Sequence, residues 1–393
     1  MTKPSSRPIA TAPRAARGFS LIELMTAITI GLLIMAGLSS VFVSSSNANR
    51  EMKNSAEQIE NGRYAIEFLT QDLRHAGYYG ELSVLPAAPA SAPDPCAAPT
   101  AGTFSTSVIA VIVATNTELA LPVQYIAAAS IPAGCASLLT SANLKSGSDI
   151  VVVRRTDTTA VNSAGSGTIV GGTVYLQTTS DTVGVQYGVA GTITNAQNAA
   201  GSATVLQRRD FTVAATGTPL QFPLIAASIR KYRTHIYFVA PCSVPNGGGS
   251  LCTGSADDQG RPIPTLKRLE MGASGAFSIV PIVEGIEAIR VEYGVDSVPA
   301  VVDPGTKLLG DGLPDAFTNT PSVAEMSNTV AARIYVLARN TAPTAGYVDD
   351  KTYALGAAAL FTPAAAVQSY KRHVYGAETR IANQSGRREI PRP

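Results

Sequence analysis

The chain has 393 residues, of which 45% are hydrophobic and 15% charged, with 34 glycines, 25 prolines and no tryptophan. This length and composition can supply one or two folded domains with a sizeable core. The formal net charge is only +2, and no basic block follows the first eighteen residues, which argues against a nucleic-acid interface.

Residues 1–18 form a basic leader. Lys3, Arg7, Arg14 and Arg17 stand there without any acidic residue, so removing these charges would change the formal net charge from +2 to −2. Cations that flank an apolar segment favour the cytoplasmic side of a membrane. We therefore expect the leader to lie in the cytoplasm.

An uncharged segment of 20 residues, Leu24 to Val43, follows the leader and is long enough to span a bilayer as a helix. Glu23 stands directly before it. A charge well inside a membrane helix costs about 2.5 to 3.5 kcal/mol on insertion scales. The sequence therefore predicts a partner for Glu23. The alternative is that Glu23 lies in the hydrated membrane interface, where its charge costs little.

The order of signal elements is reversed relative to an ordinary secretory signal, whose cleavage site follows its apolar region. Here the candidate processing point, Gly18 followed by Phe19, precedes the apolar run. Cleavage at this point would leave the hydrophobic helix on the mature chain.

The stretch Gly18-Phe19-Ser20-Leu21-Ile22-Glu23-Leu24 resembles the class III signal of type IV prepilins and of type II secretion pseudopilins. The resemblance implies that a membrane prepilin peptidase cuts after Gly18 and methylates the new amine of Phe19. It also implies that Glu23 neutralises the amino terminus of a neighbouring subunit during filament assembly, so that Glu23 and Phe19 set the assembly register.

The helix is predicted to continue beyond the membrane, because seven mostly apolar positions recur at three- and four-residue steps. These positions are Met52, Ala56, Ile59, Arg63, Ile66, Thr70 and Leu73. We expect one helix from about Phe19 to about His75, ended by a left-handed Gly77. The predicted regions are a leader (1–18), a transmembrane and filament-core helix (19–44), its amphipathic continuation (45–78) and a β-rich head (79–393).

The head is predicted to be mostly β, because short apolar or alternating runs are separated by Gly, Ser, Asn and Pro. The expected strands are Val108–Ala114, Ile150–Arg154, Thr173–Gln177, Thr204–Arg208, His235–Ala240, Leu266–Met271, Ile286–Tyr293 and Ala331–Ala338. Residues 85–99 read as a connector, 156–172 as a long loop and 384–393 as a frayed tail. The expected fold class is α+β, with a long helix packed on a largely antiparallel head.

The four cysteines all lie in the part predicted to be outside the inner membrane, where oxidising conditions favour disulfides. Of three possible connectivities, the one with local loops joins Cys96 to Cys135 and Cys242 to Cys252. Zinc is the alternative, but no CxxC pair is present and the three histidines are scattered.

Five head segments resemble, in order, segments of PilW-type minor pilins of type IV pili. They are DLRHAGYYG (72–80), RKYRTHIYFVA (230–240), IVEGIEAIRVEYGVDS (282–297), VAARIYVLARN (330–340) and YKRHVYGAETRIAN (370–383). After Asp296 these relatives often carry a dense Asp/Gly run, whereas here the next acid is Asp303. Because a calcium loop needs closely spaced carboxylates, we expect no metal.

The sequence offers little evidence of catalysis, because it contains no GxSxG motif, no HExxH motif and no phosphate-binding loop. The acidic pairs Asp257-Asp258 and Glu284/Glu287 are expected to be solvated faces. We therefore expect no enzyme, no cofactor and no catalytic residue.

The first functional hypothesis is a minor pilin that helps to initiate pilus assembly and lies at or near the tip. Its expected partners are prepilin peptidase, other minor pilins, the major pilin, the inner membrane and a possible tip adhesin, without nucleic acid. Before assembly, the expected location is the inner membrane, crossed once, with the leader in the cytoplasm and the head in the periplasm. After assembly, it is the type IV pilus at the cell surface. The alternatives are a minor pseudopilin of a type II secretion system, or an adhesin or DNA-uptake module whose head binds a ligand.

Overall fold

The computed structural model describes residues 18–83, 88–97, 117–161, 167–170, 173–179, 183–187, 191–193, 206–209, 216–217, 222–272, 276–297, 310–357 and 360–389. The chain divides into two compact units, Met1–Lys53 and Asn54–Pro393. The expected strand Val108–Ala114 lies outside the described residues, as does part of the expected connector.

Helices and strands within the described residues confirm the α+β class. The helices are α1 (Leu21–His75), α2 (Asp257–Gly260), α3 (Val323–Ser327) and α4 (Ala382–Arg388). The strands are β1 (Val123–Ile126), β2 (Ile150–Thr156), β3 (Gly167–Ile169), β4 (Val174–Thr178), β5 (Val183–Tyr187), β6 (Gly191–Ile193), β7 (Gln207–Arg209), β8 (Leu224–Ala226), β9 (Ile229–Ala240), β10 (Thr265–Met271), β11 (Phe277–Glu284), β12 (Ile286–Val295), β13 (Ala316–Thr318), β14 (Thr329–Arg339), β15 (Tyr353–Ala354), β16 (Leu360–Phe361) and β17 (Arg372–Arg380).

Two antiparallel sheets organise the second unit. The first sheet has the order β1-β2-β9-β10-β11, with β4 also paired to β9 and β5 paired to β4. The second sheet has the order β13-β12-β14-β17. A single glycine turn at Gly285, with φ of +73°, connects β11 in the first sheet to β12 in the second. This left-handed conformation favours glycine because it has no Cβ.

The last part of α1 packs on both sheets. Ala65, Leu69 and Leu73 recur every four residues, which places them on one face of the helix, and all three are buried. They share one hydrophobic core with the inner faces of the two sheets. That core also includes Val151, Val153, Tyr237, Val239 and Leu266 of the first sheet and Ile289, Val291, Tyr293, Ala332, Ile334 and Val336 of the second.

The first sheet is covered on both faces. Alternating residues of β2, Val151 and Val153, face the α1 core, whereas Ile150 and Val152 belong to a second core on the opposite face. This explains the continuous apolar run of β2, because a strand buried on both faces does not alternate. The second core contains both disulfides, Cys96–Cys135 and Cys242–Cys252.

The end of α1 follows the sequence prediction. Gly77 adopts a φ of +73°, and its N–H donates to the carbonyl of Arg154 in β2 at 2.8 Å. A left-handed glycine just beyond the last turn is a common way to end a helix. Here it also directs the chain into the edge of the first sheet.

Two predictions about irregular segments are wrong in part. In the expected loop 156–172, Thr156 ends β2 and residues 167–169 form β3, which pairs with β6. In the expected tail, α4 docks on the head, because Ser385 Oγ donates to the carbonyl of Gly312 at 2.6 Å and Arg388 Nε donates to Asp296 Oδ2 at 2.7 Å. Residues 390–393 lie outside the described part of the chain.

One glycine of α1 permits close helix–sheet packing. A Cβ built on Gly62 would lie 2.1 Å from Cε2 of Tyr375 in β17. Gly62 is buried although glycine weakens a helix interior by about 1 kcal/mol relative to alanine. Glycine at this position lowers the helix propensity of α1, but it allows the helix to contact the second sheet closely.

We predict that Gly62→Ala lowers the free energy of unfolding by about 1 to 2 kcal/mol, because overpacking outweighs the gain in helix propensity. Urea denaturation of the full chain in detergent micelles would measure the change. The matched control is Gly386→Ala in α4, where a Cβ meets nothing within 4 Å. A stabilising effect of Gly62→Ala equal to that of the control would contradict the packing argument.

Candidate functional site

The candidate processing point lies immediately before α1. Gly18, Phe19 and Ser20 are not helical, and the helix begins at Leu21. Phe19 is 89% exposed, and a Cβ built on Gly18 would meet nothing within 4 Å among the described residues. The Gly18–Phe19 peptide bond therefore lies outside the helical hydrogen-bond pattern.

Glu23 closes the first turn of α1. The N–H of Ser20 donates to Glu23 Oε2 at 3.0 Å, and the carbonyl of Ser20 accepts from the N–H of Leu24 at 3.1 Å. A carboxylate in the first turn satisfies a free backbone donor and interacts favourably with the helix dipole. Because an ionised carboxylate has two oxygens and about four acceptor positions, Glu23 can accept a further donor.

The segment after Glu23 presents an apolar surface along the first unit. Within the described residues, α1 is the one helix long and apolar enough to cross a membrane. Thr26 Oγ1 donates to the carbonyl of Ile22, and Thr29 Oγ1 donates to that of Met25. These bonds satisfy the hydroxyls inside the helix, as a lipid environment requires. The apolar helix and the signal in front of it support membrane anchoring.

The other end of α1 carries a buried carboxylate that sequence analysis did not single out. Asp72 accepts from Arg155 Nε at 2.6 Å and from the Tyr237 hydroxyl at 2.7 Å, and His235 Nδ1 lies 2.7 Å from its second oxygen. Burial alone would raise the pKa of Asp72. The His235 hydrogen bond, followed by the charges of His235 and Arg155, outweighs burial and holds this pKa below its usual range.

Asp72 therefore joins α1 to two strands of the first sheet, β2 through Arg155 and β9 through His235 and Tyr237. The partner tyrosine shows the opposite effect. Burial, followed by the negative charge of Asp72, raises the pKa of Tyr237 well above its usual value. The hydroxyl thus remains a proton donor to the carboxylate.

A second buried ionic network fixes the connection between β14 and β17. Arg372 Nε lies 2.5 Å from Glu287 Oε2, and Arg372 Nη1 lies 2.9 Å from Asp349 Oδ2, with all three side chains inaccessible to solvent. Burial lowers the pKa of Arg372, but the hydrogen bonds and charges of Glu287 and Asp349 produce a net increase. The network holds Asp349, which lies between β14 and β17 in the chain, against the second sheet.

This network corrects the expectation that Glu287 belongs to a solvated acidic face. Glu287 is fully buried, whereas Glu284 is exposed and accepts from Ser243 Oγ at 2.7 Å. The two acids differ because Glu284 ends an edge strand, while Glu287 lies at the start of β12 facing Arg372. One acid orders a surface loop and the other compensates a buried cation.

Asp257-Asp258 is also not a solvated pair. Asp257 is buried and accepts backbone N–H bonds from Asn246, Thr253 and Gly254. Burial raises the pKa of Asp257, but these bonds outweigh it and lower the pKa to about 2. Asp258 accepts from the N–H groups of Ser243, Val244 and Ile263. The pair orders the loop that contains the Cys242–Cys252 bond.

Each pair of cysteines lies near one carboxylate, but the cysteines of each pair are joined to each other. Asp94 lies near Cys96 and Cys135, and Asp257 lies near Cys242 and Cys252, in arrangements that could hold a metal by distance alone. In each group both sulfurs already form a disulfide, and a thiolate, not a disulfide sulfur, is the metal ligand. These groups therefore act as covalent links between loops in the described chain.

The predicted site residues thus occupy separate places. Gly18, Phe19 and Glu23 lie close together at the start of α1, while the two disulfides lie in the second core of the head. Sequence reasoning missed the head's buried ion pairs. One signal of the Asp72 cluster was available in the sequence. His235 and Tyr237 are two residues apart in a strand, so their side chains face the same side. Nothing in the sequence shows that Asp72 lies next to them.

We predict that Asp72→Asn lowers the free energy of unfolding by about 3 kcal/mol at pH 7, because it breaks a buried ion pair. Since the folded pKa of Asp72 lies below its unfolded value, the lost stabilisation is fully present above about pH 4. The difference between wild type and variant should therefore shrink as the pH falls below 4. Urea denaturation in micelles from pH 3 to 7 would measure it.

Asp157→Asn is the matched control, because Asp157 binds Arg233 at 3.0 Å but its side chain is one-third exposed. Such a partly exposed ion pair should contribute less than about 1 kcal/mol to the free energy of unfolding. An Asp72→Asn effect that is equally small, or that does not change with pH, would contradict the role assigned to the buried carboxylate.

Two family models match this chain. Residues 13–39 match the prokaryotic N-terminal methylation motif, which covers the Gly18–Phe19 point and Glu23. Residues 252–383 match the type IV pilus-assembly protein W, which covers the second sheet and part of the first. No curated protein and no solved structure matches the chain. The two matches confirm the resemblance to PilW-type minor pilins and to proteins with a prepilin signal.

Proposed function

We propose that this chain is a minor pilin that helps to initiate type IV pilus assembly, is cut by prepilin peptidase after Gly18, and lies at or near the pilus tip. The observation that carries the proposal is that one helix, α1, combines a prepilin signal and apolar segment with a second half built into a large head. Insertion of this helix into a filament would bring the head with it.

The start of α1 supports the assembly role of Glu23. Its carboxylate already accepts one N–H from Ser20 and has free acceptor positions. The amine that cleavage creates at Phe19 of an adjoining subunit would be a cationic donor of the required kind. Pairing the two charges removes the cost of an isolated charge among apolar helices.

The size of the head supports a position at the tip. Residues 79–393 make a region of 315 residues, about twice the size of a typical domain. Heads of this size would crowd one another if every subunit of the shaft carried one. At the tip a large head has open space on one side, and it can contact other minor pilins below it.

We predict that deleting this gene sharply reduces surface pili while the pool of major pilin remains. Wild-type protein supplied from a plasmid should restore piliation. Glu23→Ala should not restore it, because the helix has lost the charge that pairs with the neighbouring amine. Glu23→Gln should be nearly as defective if the charge is what matters. Counting pili by electron microscopy would measure the effect.

Mass spectrometry of the same variants provides the control. Both Glu23 variants should lack residues 1–18, because the cut depends on Gly18, whereas a strain without prepilin peptidase should retain the leader and an unmethylated Phe19. Full restoration of pili by Glu23→Ala would refute the assembly role. Normal removal of residues 1–18 without the peptidase would refute the processing step.

A further inference from the structure

We propose that the Cys242–Cys252 disulfide is a reducible link, and that Lys267 stabilises its dithiol form by pairing with a thiolate. Lys267 lies in β10 next to this bond, and its Nζ is 3.9 Å from the Sγ atoms of both cysteines. All three side chains are buried. This redox site belongs to the head, so it is independent of where the chain lies in a filament.

Lys267 is a buried cation without an adjacent counter-ion. It is 2% exposed, and with the described residues it forms no salt bridge, only the two contacts with sulfur. Disulfide sulfurs are neutral and weak acceptors, and a buried charge is costly unless it is paired. Burial lowers the pKa of Lys267, whereas the charges of Asp258 and Asp257 act in the opposite direction. The ammonium group is thus compensated only from a distance while the disulfide is intact.

Reduction of the disulfide would supply the missing counter-ion. A dithiol reductant attacks one sulfur through its thiolate, forms a mixed disulfide and then closes to its own cyclic disulfide, so that both cysteines of the chain become thiols. A cation next to a thiol lowers its pKa below the usual value of about 8.5. One of the two thiols would therefore release its proton to solvent beside Lys267. Stabilising the reduced form in this way makes a disulfide easier to reduce.

Hydrogen bonds hold the two cysteines in place without the disulfide. Ser243, which follows the first cysteine, donates its N–H to Asp258 at 3.0 Å. Thr253, which follows the second cysteine, donates its N–H to Asp257 at 2.7 Å. Because these bonds do not involve the sulfurs, we expect both thiols to stay beside Lys267 after reduction.

The loop between the cysteines gives a reductant access to the sulfurs. Residues 246–250 are exposed, and a Cβ built on Gly247, Gly248 or Gly249 would meet nothing within 4 Å among the described residues. A segment with so few contacts opens locally at low cost. Such an opening would uncover Cys252, which is 3% exposed in the structure.

The other disulfide, Cys96–Cys135, provides a comparison within the same chain. Each disulfide has one aspartate close to its sulfurs, Asp94 in this case and Asp257 in the other. Within the described part of the chain, no lysine or arginine contacts the sulfurs of Cys96–Cys135, and the Sγ of Cys135 lies 3.7 Å from Asp94 Oδ1. A neighbouring carboxylate disfavours a thiolate. The two disulfides should therefore differ in how easily they are reduced.

The test is equilibration of the full chain in detergent micelles at pH 7, without oxygen, with stepped ratios of reduced to oxidised dithiothreitol. After an acid quench, free thiols are alkylated, and peptide mass spectrometry measures the reduced fraction of each disulfide. We expect Cys242–Cys252 to be half-reduced at a ratio at least about tenfold lower than Cys96–Cys135 requires, which is about 30 mV for this two-electron couple.

Lys267→Met should raise about tenfold the ratio that half-reduces Cys242–Cys252, because it removes the cation and keeps an apolar stem. The same variant should change the ratio for Cys96–Cys135 by less than about twofold, because that disulfide has no cation to lose.

Lys145→Met is the matched control. Lys145 is also a partly buried lysine, and burial also lowers its pKa, but its Nζ lies 3.8 Å from a carboxylate oxygen of Glu287. Because this charge already has a partner, the control should shift the ratio for Cys242–Cys252 by less than about twofold.

Ultraviolet absorbance of the thiolate separates the effect of charge from a general loss of stability. Reduced wild type should contain about one more thiolate per chain at pH 7 than reduced Lys267→Met. If Lys267→Met does not fold, the comparison of the two disulfides in wild type decides. Equal ratios for the two disulfides, a Cys242–Cys252 bond that is the harder one to reduce, an unchanged ratio or thiolate content in folded Lys267→Met, or an equal shift in Lys145→Met would each overturn the proposal.

Discussion

The packing of the second half of α1 on two sheets is the constraint on which the head depends. Ala65, Leu69 and Leu73 complete a core that neither sheet closes by itself. The carboxylate of Asp72 then fixes the end of the helix by bonds to β2 and β9. Apolar packing supplies most of the stabilisation of such an interface, while the buried ion pair, once formed, specifies one position along the sheet.

The same helix connects the apolar segment to the head. The residues from Leu21 onward form an exposed apolar helix with Glu23 in its first turn. The same helix belongs to the second unit from Asn54 onward, and it joins the core of the head from Ala65. A helix that is apolar and exposed in its first half and packed on two sheets in its second half must change its surface along its length. The sequence shows this change, from an uncharged run to an amphipathic pattern.

The sequence predicted the elements with strong local signals and missed those that depend on distant partners. The uncharged run and Gly77 were sufficient to predict α1 and its end. The apolar runs around Ile150 and Ile286 were sufficient to predict two central strands. The docking of α4 could not be predicted, because a polar stretch with Arg388 resembles a frayed tail until the buried Asp296 is found opposite it. Glu287 was mistaken for a surface acid because its partner Arg372 is 85 residues away in the chain.

The most direct test of this account is the number and place of copies in sheared pili. Quantitative mass spectrometry against the major pilin, combined with immunogold labelling of the head, would measure both. We predict a few copies per pilus, with label at one end, because a head of this size cannot repeat along the shaft without crowding. Near-equal stoichiometry with the major pilin, or label along the whole filament, would contradict the account.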